Sequence, residues 1–280
     1  GLWLYQFANN IKNGIKRIFN SRVSGLSAAV LEAMVLGDKA DIPKCVYDAM
    51  IKTGTVHILV VSGFNTSLLA FIIFLLLKIL RVNRPLRALI SFAALFLYCI
   101  IAGCSTPVIR AAIMTVFFAF SFLARRDACG RQALCLAAFF ILVFKPNQLY
   151  DIGFQLSFAS VASLVFLYPK MKIPASSIIS RHRLLAAAAD SAKVSLSAWL
   201  GTVAIIAFYF RIFSPVTVMA NIFIVPLAAL ISLLGFGLIF MEIAMPVLAG
   251  PLALSIEPAV SLLLKVNAFF LKMPFACIRF

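Results

Sequence analysis

Acid is scarce in this sequence: nine Asp and Glu stand against 25 Lys and Arg, and charged residues of both signs make up only 12% of the 280 positions. With 64% hydrophobic residues, the chain has more apolar surface than a soluble domain of this size can bury, so lipid must be its solvent over much of its length. Histidine is rarer still, at two residues, which excludes a His-rich metal site. The six cysteines form no CxxC pair, so they read as small hydrophobes and no metal is expected. No GxxxxGK[ST] loop is present to cradle a nucleotide, so any energy must come from elsewhere, and no cofactor is expected. The net charge of +16 excludes less. In a soluble domain it would point to nucleic acid, but membrane proteins collect Lys and Arg in cytoplasmic loops and beside anionic headgroups. A polyanionic cargo is permitted by this charge and not established by it.

What is present is organised in two parts. Residues 1–53 read as amphipathic interfacial helices: LWLYQFANNIKNGIKRIF mixes aromatics with Lys12, Lys16 and Arg17 at helical spacing. SGLSAAVLEAMVLGDKADIP then predicts a short helix capped near Ser24 or Ser27 and ended at Gly37, too short and too charged to cross a membrane alone. Residues 54–280 read as a transmembrane domain, with apolar runs at 55–78, 86–103, 107–124, 132–145, 149–168, 191–210, 216–241 and 247–272. The fold class expected is an all-α polytopic bundle of about eight membrane segments, some broken or re-entrant. Lys and Arg concentrate in the links at 78–87, 125–131 and 169–193, which the positive-inside rule assigns to the cytoplasm. The chain opens on Gly rather than Met, so a longer parent protein is expected.

The first apolar run begins oddly, as TGTVHILVVSGFNTSLL. On a regular helix Ser62, Asn65 and Thr66 share one face, whereas His57 lies about 140° away from Ser62. Polar groups in hydrocarbon must meet another helix or water. Ser62 and Thr66 taken singly fit interhelical hydrogen bonding as well as they fit a cavity wall; the whole cluster, with His57, favours a cavity lining. Gly63, amid these residues, and Pro226, in the run at 216–241, are the helix-break candidates.

Two further stretches carry polar groups. In GCSTPVIRAAIM, Pro107 suits the first turn of a helix and Arg110 lies one turn inside, either snorkelling or paired. In YDIGFQLSFASVAS, Asp151 and Gln155 share a face and Ser157 adds a hydroxyl, while Asp151 also suits a helix cap. Embedded charges tend to pair, so Arg110 and Asp151 are expected within reach of each other, directly or through Gln155 or water.

These three stretches, in this order, with GLSAAVLEAMVLGDKADIP before them, resemble the ComEC family over about residues 25–171. The resemblance implies an inner-membrane channel for uptake of single-stranded DNA in natural transformation. It further implies a cytoplasmic ATP-driven motor and outer DNA-receptor proteins as partners, besides membrane lipids. Relatives often add an OB-like domain upstream and a metallo-β-lactamase-like domain downstream. The HxHxDH motif of the latter is absent from this stretch, so no nuclease activity is expected here. The family pattern matches Thr53, Gly54, His57, Ser62, Gly63, Arg110, Met114, Asp151, Gly153, Phe154, Gln155, Leu156 and Ser157. It departs at Asn65, where many relatives carry a second His; Asn can hydrogen-bond but cannot titrate. His57, Ser62, Gly63, Asn65, Thr66, Arg110, Asp151, Gln155 and Ser157 are accordingly the candidates for channel lining or DNA contact. A small-solute transporter is the alternative from composition. An intramembrane serine hydrolase using Ser62 and His57 is a further alternative that the five-residue spacing opposes, and no enzyme is expected.

Overall fold

The computed structural model describes residues 2–123, 129–171, 183–273 and 276–279. Parts of the basic links at 125–131 and 169–193, including His182, lie outside the described residues. Helix α1 (Leu2–Arg22) leads through a short turn into α2 (Gly25–Leu36). Every residue of α2 from Ala28 to Leu36 is buried. The physical reason is its sequence, apolar all round except Glu32, which leaves the helix no face to give to solvent. Ser24 stands at its N-cap position, and Gly37, at φ +74°, ends it with its N–H on the Ala33 carbonyl. Although the sequence groups α2 with interfacial helices, burial makes it part of the main core, packed by α1 and by two long helices from the C-terminal third.

The chain continues through α3 (Lys44–Lys52), a 3-10 turn (Val56–Leu59), α4 (Gly63–Ile79), α5 (Arg84–Ile101), α6 (Thr106–Leu123) and α7 (Gly130–Phe144). Then come α8 (Ile152–Phe166), α9 (Arg183–Phe210), α10 (Val216–Ala244) and α11 (Pro246–Leu271). Two further 3-10 turns, Pro146–Tyr150 and Tyr168–Lys170, flank α8, and one two-residue antiparallel bridge joins Ile212–Phe213 to Ile278–Arg279. Local chemistry sets several starts: Asn83 takes the Leu86 N–H at 3.1 Å to open α5, and Asp151 takes the Phe154 N–H at 2.9 Å to open α8.

The eight apolar runs coincide with α4 to α11. By length and composition, five stretches among the described residues can cross a membrane: Arg84–Ile101, Ile152–Lys170, Ala186–Phe210, Val216–Ala244 and Pro246–Leu271. α4, α7 and the stretch Thr106–Ser121 of α6 are apolar but shorter. Large side chains such as Phe71, Phe96, Phe120, Phe144 and Leu254 stand exposed on these helices, as expected where lipid rather than water is the surrounding medium.

The two expected breaks resolve differently. Pro226 lies inside α10 without interrupting it, so the helix runs unbroken from Val216 to Ala244. Proline removes one N–H, but the flanking turns are held by packing against α2 and α11. At the start of α4 the break is real but falls earlier than Gly63: Val60 and Ser62 have extended backbone, and Gly63 is the first residue of the helix.

Candidate functional site

Ser62 is the N-cap of α4, its hydroxyl accepting the Asn65 N–H at 3.3 Å. Asn65 and Thr66, which follow, are buried at 3% and 0% exposure. Asn65 donates its side-chain N–H to the Met34 carbonyl at 2.7 Å, and Thr66 donates to the Ser62 carbonyl at 3.3 Å. Both polar groups therefore meet protein carbonyls in this conformation. The reason is α2: its buried C-terminus needs donors for carbonyls that no helical N–H reaches. His57 stands apart on the 3-10 turn, exposed, its Nδ1–H donating to the Gly54 carbonyl at 3.2 Å. His57 and Ser62 each bond elsewhere, and no hydrogen bond joins them.

Arg110 is a buried charge. It is 7% exposed, its Nη1–H donates to the Ser157 carbonyl, and its Nε is buried without a partner. The ring of Phe158 lies 5.8 Å from the guanidinium. Ser157 also buries an unpartnered hydroxyl. A Cβ on Gly63 would stand 2.9 Å from Arg110 Nη2 and 3.3 Å from the Ala111 Cβ, so a side chain there would displace the guanidinium.

The expected pairing with Asp151 is not formed: among the described residues no ion pair joins Arg110 to an acid. Asp151 is exposed and committed to capping α8, while Arg110 turns inward to Ser157, a turn and a half further along that helix. Nor does Gln155 bridge them. It folds back to donate to the Leu149 carbonyl at 3.1 Å. A residue not singled out in the sequence, Gln148, instead ties the two helix starts together, accepting from the Thr106 hydroxyl at 2.7 Å.

Gly63, Thr106 and Asp151 mark the N-terminal ends of α4, α6 and α8; Arg110 lies beside the first of these, one turn inside the second, and against the second turn of α8, and Gln148 ties the α6 start to the segment before α8. Helix N-termini carry partial positive charge, and Arg110 adds a buried cation that no acid among the described residues pairs, while Asp151 at the start of α8 offsets part of that field.

A second polar cluster also escaped sequence reasoning as a unit. Thr53 and Thr55 both donate to the Asn267 side-chain oxygen, at 2.6 and 3.1 Å, joining the loop before α4 to α11. Thr217 donates to the Thr53 carbonyl at 3.0 Å, and Ser214 to the Ala276 carbonyl at 2.6 Å. All are buried. A lone amide in the apolar run at 247–272 was the signal available for Asn267. Its partners, more than two hundred positions away, left no local trace.

Outside the bundle helices, α1 is strapped to the α2–α3 connection by charge. Lys12 and Lys16 both lie 3.1 Å from Asp38, and Lys16 lies 3.2 Å from Glu32. Partial burial pushes the Asp38 carboxyl up, but the Ala40 N–H, Lys12 and Lys16 outweigh it and hold the group down at about 2.

Comparison with known proteins adds a family. The profile of the Competence protein family matches residues 34–280, a stretch that leaves out α1 and most of α2. ComE operon protein 3 of Bacillus subtilis is 29% identical over 217 residues, covering 78% of this chain and 27% of that protein. Recombination protein 2 of Haemophilus influenzae is 30% identical over 155 residues, 52% of this chain and 20% of that protein. The uncharacterized protein YcaI of Escherichia coli is 27% identical over 157 residues. The chain thus spans about a quarter of the length of the first of these relatives. No solved structure matches.

Proposed function

The chain belongs to the Competence protein family, and from that membership and the surroundings of Arg110 we propose that it forms part of the path by which single-stranded DNA crosses the bacterial cytoplasmic membrane. α4 to α11 act as about eight membrane segments, the shorter ones within a packed bundle, and the end carrying the α4, α6 and α8 starts faces outward. The observation that carries this reading is Arg110, a buried cation that no acid among the described residues pairs, beside the starts of α4 and α6. A phosphodiester passing that end finds one charge-assisted donor, enough to attract the strand and too little to hold it. Hydroxyl and amide groups at the same end, Ser157 and Gln155 among them, supply weak contacts. A cytoplasmic ATP-driven motor pulls the emerging strand and outer DNA-receptor proteins deliver it.

Uptake of labelled DNA by a strain lacking only this protein, complemented with wild type, Arg110→Lys or Arg110→Gln, tests the reading. Arg110→Gln should lower uptake about tenfold, the worth of one charge-assisted hydrogen bond, with the protein still at wild-type level in the membrane. Arg110→Lys should fall between. Unchanged uptake in Arg110→Gln overturns the role given to Arg110.

A further inference from the structure

The start of α5 holds a second buried arginine, at the opposite end of α4 from the Arg110 site. Arg87 is 9% exposed, its guanidinium lies 4.2 Å from the ring centroid of Phe74 on α4, and its Nε is buried without a partner. One turn further on, Ser91, 7% exposed, buries a hydroxyl that is likewise unpartnered. The charge around them has one sign. Lys78, Arg81 and Arg84 stand exposed nearby in sequence, and no Asp or Glu occurs between Asp48 and Asp127. None of these four cations takes part in an ion pair among the described residues. The N-terminus of α5, capped by Asn83, adds its partial positive charge at the same place.

A desolvated cation beside a helix N-terminus, with no acid paired to it among the described residues, is poised for an anion. Stacking on Phe74 holds the guanidinium plane in position for planar recognition of phosphate oxygens. The surroundings say what else the ligand must have. Phe71, Leu75 and Ile79 on α4 and Leu86, Leu89 and Ile90 on α5 are exposed apolar side chains of the same hairpin. A nucleic-acid strand would leave that apolar surface bare, whereas an amphiphile covers it.

We propose that Arg87, with Arg84, Ser91 and the N-terminus of α5, forms a headgroup site for an anionic phospholipid. The phosphodiester sits at the basic end and the acyl chains lie along the apolar surface of the α4–α5 hairpin. The site is separate from the Arg110 end, since α4 and α5 meet there by their opposite termini, and its occupancy does not depend on what crosses the bundle.

Native mass spectrometry of the full chain, released from nanodiscs holding phosphatidylglycerol and phosphatidylcholine in equal amounts, tests the site. Wild type should retain phosphatidylglycerol about tenfold over phosphatidylcholine, and the double variant Arg84→Gln/Arg87→Gln should lose that preference. Arg87→Gln removes the packing partner of Phe74, so Arg84→Gln, at an exposed position, is the second variant and should lower the preference by itself. An excess of dT oligonucleotide should leave the lipid adduct in place. Equal retention of the two lipids by wild type, or an unchanged preference in both variants, overturns the site. Displacement of the lipid by the oligonucleotide also overturns it, because the same groups would then be a nucleic-acid contact.

Discussion

Asn65 closes the Met34 carbonyl at 2.7 Å, and Tyr98 closes the neighbouring Val35 carbonyl at 2.9 Å. With the Gly37 N–H on Ala33, three of the four last carbonyls of α2 have named donors, two of them side chains from other helices. A buried helix end needs such donors, since neither water nor the helix itself can supply them. The polar residues at the start of α4 are thus part of what allows α2 to sit in the core.

Removing the Asn65 donor leaves a buried carbonyl unpaired. Asn65→Ala should cost about 1–3 kcal/mol of stability, and Asn65→Asp more, because it sets an acceptor against an acceptor. Thermal unfolding of the detergent-purified protein measures both. An Asn65→Asp variant as stable as Asn65→Ala would show that the contact carries little.

Asp151 serves α8 rather than Arg110. Asn caps as well as Asp, so Asp151→Asn should be nearly neutral, while Asp151→Ala should cost about 1 kcal/mol. In a double-mutant cycle, Arg110→Gln and Asp151→Asn should add within about 0.5 kcal/mol. A larger coupling in unfolding experiments would restore an electrostatic link between the two.

Gly54 has φ +73°, and a Cβ there would fall 2.0 Å from the Thr217 hydroxyl that holds the Thr53 carbonyl. Gly25, at φ +44°, has open space around it. Gly25→Ala therefore meets only left-handed strain, on the order of 1–2 kcal/mol, whereas Gly54→Ala adds a collision and the loss of a buried hydrogen bond. Comparing the two melting temperatures isolates the collision, and equal losses would refute it.

The strap between α1 and Asp38 should respond to acid. The folded carboxyl is held at about 2 against its ordinary 3.8, so its contribution is whole above the ordinary value and disappears as pH falls toward about 2. Hydrogen exchange in α1 should rise across that window, and Asp38→Asn should raise it already at neutral pH. High salt should act in the same direction, because the lysines are partly exposed. Exchange that is insensitive to all three would mean that apolar packing alone seats α1.

Much of the architecture was legible in local patterns. Apolar runs marked α4 to α11, Gly37 marked the end of α2, and Pro107 marked the first turn of α6, with Arg110 one turn inside. Ser62 was read as one polar position on a continuing helix face, but it caps α4, and the capping geometry turns Asn65 and Thr66 inward. The pairing of Arg110 with Asp151 followed from charge alone. Of the two roles open to Asp151, the cap is the one formed, because its donor lies in the first turn of its own helix. Length separated the five long stretches from the shorter apolar helices, a distinction that apolar runs with uncertain ends could not draw.

Composition and periodicity, which act over a turn or two of chain, were enough to dictate helices, their approximate limits and an apolar exterior suited to lipid. They could not choose the partners of buried polar groups. A hydrogen bond demands about 3 Å between atoms, and for Asn65 with Met34 or Thr53 with Asn267 that distance exists only because distant helices pack side by side. The fold alone made that choice, and among the described residues it left Arg110 and Arg87 buried without an ion pair.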